Sequence, residues 1–99
     1  MRRKGRVDDC QVEGVKYLRR CGCVDQDLSG VGSGVPDYLF SFGGRWFMVE
    51  WIGTEKFKKY RPTGGLSDDQ VRWHARHEAK VIVAKSGEEA WRQIQELIQ

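Results

Sequence analysis

The sequence contains only three cysteines and no long apolar segment, and both features argue against a secreted or membrane protein. Its three cysteines are Cys10, Cys21 and Cys23, an odd number without the spacing of a disulfide framework, which is typical of a reducing compartment. No apolar run follows the basic N-terminus as in a secretory signal, and none approaches the length of a membrane span. We therefore expect a soluble, cytoplasmic protein.

Two kinds of ligand site are also disfavoured by missing residues. The glycine- and serine-rich segment 25–34 is not followed by Gly-Lys-Ser/Thr, so it does not match a nucleotide-binding P-loop. Cys21 and Cys23 together with His74 and His77 fit no common zinc module, which makes free or buried thiols the favoured interpretation. The glycines at 30, 32 and 34 either form flexible turns or let the backbone approach a partner such as a phosphate.

Length and charge indicate one small domain that can have an anionic partner. Ninety-nine residues, 39% hydrophobic and 31% charged, predict a single globular domain over 1–99 with one core. The net charge is only +3, but the basic residues are clustered. The second cluster is interleaved with Phe57 and Tyr60, a combination typical of contact with nucleic acid, although a solvated loop is the alternative. The two clusters are Arg2, Arg3, Lys4 and Arg6, and Lys56, Lys58, Lys59 and Arg61.

The central stretch, 34–51, predicts a tight β-hairpin. Two strand-like apolar runs flank Gly43–Gly44, and both glycines can take the positive φ angles of a tight hairpin turn. A two-residue loop places Phe42 opposite Arg45 and, at the base of the hairpin, Asp37 opposite Glu50. Opposed residues on antiparallel strands point to the same face, with Cβ atoms roughly 4.5–5.5 Å apart.

Two carboxylates at this distance repel each other unless a proton or a cation lies between them. A hard divalent cation such as Mg²⁺ fits, because it binds oxygen ligands and commonly uses one or two carboxylates. The alternatives are a solvated pair at the edge of the sheet or a slipped register. A three-residue loop would send Asp37 and Glu50 to opposite faces.

A first helix is predicted from about Val7 to Cys21, ending at Gly22. Its periodicity places Asp8 on or beside the inward face, where an acidic side chain is unusual and suggests a specific role. Asp8 and Gln11 also have the spacing of a capping box, so Asp8 could instead cap the helix.

Three further elements are predicted after the hairpin and the polar segment 53–65. Ser67 and Gln70 form a capping-box pattern that begins a helix reaching about Ala79. Segment 80–84 is typical of a short buried strand, and a final helix starts at Ser86 or Gly87. The predicted order is α-β-β-α-β-α, an α/β fold with a small mixed sheet and helices on both faces. The second helix is expected to turn inward Val71, Trp73, Ala75 and one or both histidines.

These motifs resemble a known family of nucleases. Gly34-Val35-Pro36-Asp37, Val49-Glu50 and Leu66-Ser67-x-x-Gln70-x-x-Trp73 resemble the VRR-NUC family of the PD-(D/E)xK nucleases. The resemblance implies a restriction-endonuclease-like, Holliday-junction-resolvase-like fold and a homodimer. It also implies a structure-selective DNA endonuclease that depends on Mg²⁺ or Mn²⁺. Stand-alone copies of this size are typical of bacteriophages, which would place the protein in the cytoplasm of a host cell.

The resemblance assigns roles to several positions. Asp37 and Glu50 match the metal-binding acids, and the backbone carbonyl of Trp51 would complete the inner shell. The family's helix-borne acid corresponds to Asp8 or, less well, to Asp9. The family's glutamine corresponds to Gln70, which would hold a water or a backbone group.

One position departs from the family pattern. The family's Glu-x-Lys would place a lysine at position 52, where this chain has Ile52. Lys56, Lys58 or another cation could reach in from the following loop, or the metal ion alone could suffice to activate water. In a third explanation the chain is a variant that binds metal and DNA with impaired cleavage. The alternative function is therefore a DNA-junction-binding protein.

Overall fold

A four-stranded sheet forms the centre of the fold. The computed structural model describes residues 9–99. Strands β1 (Val24–Asp27), β2 (Tyr38–Phe42), β3 (Arg45–Trp51) and β4 (Val81–Ala84) lie side by side in that order. The first three are antiparallel neighbours, and β4 runs parallel to β3. The helices are α1 (Asp9–Arg20), α2 (Thr54–Lys59), α3 (Asp68–Arg76) and α4 (Gly87–Leu97), with a short 3-10 turn at Arg61–Thr63. The fold is therefore mixed α/β, as predicted.

The β2–β3 hairpin has the predicted register. Gly43 and Gly44 form the two-residue turn with φ angles of 61° and 77°, the positive values that this turn requires. Phe42 lies opposite Arg45, and Tyr38 lies opposite Val49. The slipped register considered from the sequence is thus wrong.

The hydrophobic core lies between one face of the sheet and helices α1 and α4. Phe40, Val49 and Ile82 are fully buried on the sheet side, and Leu18 and Ile94 are fully buried on the helix side. Helix α1 ends at Arg20, one residue before the predicted Cys21, and the predicted stop residue Gly22 follows with φ of 98°. The backbone N–H groups of residues 22 and 23 donate to the carbonyls of residues 19 and 18, the pattern of a Schellman motif.

The opposite face of the sheet is covered near the end of β3 by α2 and α3. Glu50 and Ile52 point to this side and are buried. Ile52 packs against Gly65, where a methyl group would overlap its side chain. This second layer is thin, because neither α2 nor α3 contains a buried residue.

Several predictions about elements are wrong or incomplete. Strand β1 and helix α2 were expected to be loop, and α3 ends at Arg76 rather than near Ala79. Val71 and Ala75 are exposed instead of facing the core, because α3 approaches the end of β3 through other side chains. Asp8 and the start of the predicted first helix lie outside the described residues. Within residues 9–99 no helix is both long and apolar enough to cross a membrane.

Candidate active site

The hairpin places Asp37 and Glu50 beside each other at its open end. Asp37 directly precedes β2, and Glu50 is the penultimate residue of β3. Continuing the register one step beyond Tyr38–Val49 brings the two acids opposite each other. Their carboxyl groups interact, since the charge of Asp37 contributes to raising the pKa of Glu50.

Glu50 is the one charged residue among the fully buried side chains of the described chain. Its Oε2 accepts a hydrogen bond of 2.6 Å from Nε2 of Gln70 and lies 3.4 Å from Nζ of Lys56. Its Oε1 is buried without a hydrogen-bond partner. Nε2 of His74 is also buried and unpartnered, and it lies 3.6 Å from Oε1, too far for a hydrogen bond.

Burial is the main cause that raises the pKa of Glu50, to about 8. Repulsion by Asp37 adds to the rise, and attraction to Lys56 opposes it. At neutral pH this carboxyl group therefore keeps a proton or requires a further positive charge. The unpartnered Oε1 of Glu50 and the carboxylate of Asp37 beside it are oxygen ligands that fit a divalent cation.

The backbone of Trp51 also lies beside Asp37 and Glu50. Its N–H donates to Oδ2 of Asp37 at 3.2 Å. Trp51 is the last residue of β3 and lies beyond Tyr38–Val49, the last pair that β2 and β3 form. Pro36, the residue before Asp37, has no N–H to donate to a carbonyl there. This geometry suits the role predicted for that carbonyl as an ion ligand.

Gln70 performs two tasks with one side chain. Its Oε1 accepts from the backbone N–H of Ser67 at 2.9 Å, and its backbone N–H donates to Oγ of Ser67 at 3.3 Å. The predicted capping box is therefore confirmed. Its Nε2 donates to Glu50 at the same time, so the capping role and a role at the site do not exclude each other.

Lys56 brings an ammonium group close to Glu50 from the segment that follows β3. Helix α2 begins three residues after β3 and turns Lys56 back toward Glu50. Its side chain is 23% exposed, so the ammonium group lies at the boundary between the buried carboxylate and solvent. Of the three explanations for Ile52, this position favours a cation from the following segment.

His74 is the residue of this site that sequence reasoning missed. It was expected to face the core as one of two possible histidines, and it instead reaches the buried carboxylate. Burial lowers its pKa, and the charge of Lys56 adds to this effect. Its spacing of four residues from Gln70, on one face of the same helix, is the signal that could have identified it.

Among residues 9–99 no three or more His, Cys, Asp or Glu side chains converge on a possible ion site. Cys21 and Cys23 do not join His74 and His77, so the described chain offers no support for the zinc alternative. Two carboxylates and a backbone carbonyl are still sufficient for Mg²⁺, which keeps several water ligands. The helix acid assigned to Asp8 lies outside the described residues, and Asp9 is exposed.

The predicted nucleic-acid-binding residues have different positions. Lys58, Lys59 and Arg61 are exposed around α2. Phe57 is already in contact with cations, since Lys85 Nζ lies 4.0 Å and Arg61 Cζ 5.5 Å from its ring centre. Phe57 is therefore less available to stack on a base than the sequence suggested. The N-terminal cluster Arg2, Arg3, Lys4 and Arg6 lies outside the described residues.

Comparison of the chain with protein-family models, with curated proteins and with solved structures gives no match. The nuclease resemblance therefore stays a prediction from the motifs, and a function has to be argued from the geometry of the site.

Proposed function

We propose that the chain is a divalent-metal-dependent, structure-selective DNA endonuclease that hydrolyses phosphodiester bonds in branched DNA such as Holliday junctions. The observation that carries the proposal is the buried Glu50 beside Asp37, with one carboxylate oxygen unpaired and the ammonium group of Lys56 close to the other. A purely structural carboxyl group would need no second acid beside it, and burying the charge of Glu50 next to the half-buried Asp37 is costly without a compensating cation.

Asp37, Glu50 and the Trp51 carbonyl would hold Mg²⁺ or Mn²⁺. When bound, such an ion lowers the pKa of water and neutralises charge on the phosphate. Gln70 fixes the orientation of Glu50 through its hydrogen bond. Asp37 is oriented in turn by the backbone N–H of Trp51. Asp8 is expected to add a further acid.

Lys56 fills the role of the missing lysine. An ammonium group at the edge of the site can position an attacking water and stabilise negative charge that develops on the phosphate. Its contact with Glu50 keeps it in place before the substrate binds. Ile52 is instead buried against Gly65, on the side of the sheet opposite the main core.

The substrate is assigned from charge and symmetry. Lys58, Lys59 and Arg61, together with the N-terminal cluster, would follow the phosphate backbone. A four-way junction has two-fold symmetry and needs two cuts, which a homodimer with paired sites can supply.

The proposal is tested with a labelled four-way junction and a linear duplex of the same sequence, each incubated with the purified protein and Mg²⁺ or Mn²⁺. We expect cutting of the junction in preference to the duplex. Glu50→Gln and Asp37→Asn should abolish this cutting, with circular dichroism to establish that each variant is folded. Cutting that persists in both folded variants would refute the site.

A DNA-junction-binding protein without cleavage is the second candidate, and Ile52 favours it. The same mixtures separate the two functions when they are also analysed by gel mobility shift. Retarded junction without any nicks, in either metal ion, would support the binding protein. Nicks that require the metal ion would support the nuclease.

A further inference from the structure

An open cleft lies between the glycine-rich loop before β2 and helix α3. Its volume is about 410 Å³. One wall is the loop residue Ser33, and the other is a stripe along α3. The lining residues are Ser33, Asp69, Arg72, Trp73, Ala75 and Arg76.

The cleft adjoins the candidate active site through α3. Gln70 and His74, one turn apart on this helix, point at Glu50. Trp73 lies beside this stripe, three residues from Gln70, whereas Arg72 and Arg76 lie further around the helix, and all three line the cleft. The cleft therefore borders the side of α3 that faces Glu50 at Trp73.

The charge of the cleft suits a phosphate. Arg72 pairs with Asp69, and Arg76 adds a second guanidinium, so the lining has net positive charge. Both partners of the Arg72–Asp69 pair are more than half exposed. An exposed pair of this kind is weak, so Arg72 can exchange its partner for a phosphate at little cost.

Trp73 supplies a flat apolar surface that is held in place before any ligand arrives. Its indole stacks on the ring of His77 with 3.7 Å between ring centres and 21° between planes. Nδ1 of His77 lies 2.6 Å from the carbonyl oxygen of Trp73, which ties the two residues together. A ring fixed in this way loses little entropy when a base packs on it.

The loop wall is also preformed. Gly34 has φ of 85°, and its α-carbon lies so close to the backbone of Asp69 that a methyl group would overlap it. The close approach predicted for the glycines thus occurs at Gly34, toward α3 and not toward a ligand. This contact fixes the width of the cleft between Ser33 and the helix.

We infer that this cleft binds one nucleotide of a DNA strand, with its base against Trp73 and its phosphate on Arg72 and Arg76. The nature of the ligand rests on the proposed function. The preference that follows is for a site where the strand is unpaired or distorted, since only there can a base leave its stack.

The test measures binding of a fluorescent junction and of a fluorescent single strand by anisotropy in metal-free buffer, where the two-acid site cannot cut. Trp73→Leu should weaken binding about 5- to 150-fold, the range for loss of one stacked base. Trp46→Leu is the matched control, since Trp46 is 72% exposed on β3 near the hairpin turn, and it should change binding less than twofold. Arg76→Ala should lower the slope of log affinity against log salt by about one.

Equal binding by the two tryptophan variants, or an unchanged salt slope in Arg76→Ala, would overturn the inference. If Trp73→Leu does not fold, the salt slope of Arg76→Ala tests the inference instead. Arg76 is exposed, so we expect this variant to fold. If the wild-type protein cuts the junction and Trp73→Leu binds DNA as tightly as the wild type, the cleft is not a nucleotide site and the proposed nuclease function still stands. If Trp73→Leu weakens DNA binding but the wild-type protein never cuts the junction, the nuclease function is refuted and the inference about the cleft still stands.

Discussion

The ammonium group of Lys56 lies 3.4 Å from Oε2 of Glu50, although the two residues belong to different elements. The turn between β3 and α2 brings them together. The same carboxylate oxygen accepts the hydrogen bond from Gln70. One oxygen of Glu50 is thus held by two side chains while the other has no hydrogen-bond partner.

Lys56→Met should slow cutting of a four-way junction about 10²- to 10³-fold, the usual loss when one preorganised charge-stabilising group is removed. Lys58→Met is the matched control, because it removes the same charge from an exposed position on the same helix. The control should weaken DNA binding slightly and leave the single-turnover rate of the bound complex unchanged. Equal rates for the two variants would show that Lys56 has no special role.

Gln70→Ala should lower the free energy of unfolding more than Ser67→Ala does. The serine variant removes the helix cap alone, which costs about 0.5–2 kcal/mol. The glutamine variant removes its half of the cap and also the shorter of the two hydrogen bonds to the buried Glu50, which adds about 1–3 kcal/mol. Urea denaturation of both variants measures the difference. Equal losses would mean that the bond from Gln70 to Glu50 contributes nothing.

The stability of the metal-free protein should depend on pH through Glu50. The pKa of its buried carboxyl is about 8, against an ordinary 4.5, so the folded state binds this proton more tightly. The free energy of unfolding therefore falls as pH rises through that window, by at most about 1.4 kcal/mol per unit. Glu50→Gln should remove this slope in urea denaturation.

The wild-type protein and the glutamine variant have to be compared at each pH. Burial lowers the pKa of His74 below its ordinary 6.5, which makes stability rise with pH below that value and partly masks the effect of Glu50. Parallel curves for the two proteins would show that Glu50 does not hold a proton in the folded state.

Gly34→Ala should destabilise the protein more than Gly32→Ala. Both glycines have positive φ, 85° and 77°, so both substitutions carry the left-handed penalty of about 1–2 kcal/mol. Only at position 34 would the new methyl group overlap the backbone of Asp69, whereas position 32 faces open space. The extra cost of such overpacking is about 1–3 kcal/mol. Thermal unfolding of the two variants tests this, and identical midpoints would contradict the loop–helix contact.

The sequence predicted the parts of the fold that have strong local signals. Gly43–Gly44 between alternating apolar residues specified the hairpin and its register, and Ser67 with Gln70 specified the start of α3. Strand β1 was missed because Val-Asp-Gln-Asp has no apolar alternation, and it pairs only at the edge of the sheet. Helix α2 was missed because it is short, highly charged and without a buried residue.

The sequence indicated the site residues that lie on the hairpin and, through the family-like motif, Gln70 on α3. Asp37 and Glu50 follow from counting pairs outward from the turn. The position of Lys56 does not, because it depends on how α2 packs against the end of β3. The spacing of His74 from Gln70 indicates a shared helix face but not that this face meets Glu50. Helical periodicity does not predict how these helices pack on the sheet. For the same reason the sequence wrongly placed Val71 on the inward face of α3.

The central claim is that Asp37 and Glu50 together hold one divalent ion, and calorimetric titration of the protein with Mn²⁺ tests it most directly. We predict that Asp37→Asn and Glu50→Gln each weaken the binding at least tenfold, while the exposed Asp68→Asn leaves it unchanged. Binding of Mn²⁺ that is equally strong in all four proteins would contradict the account.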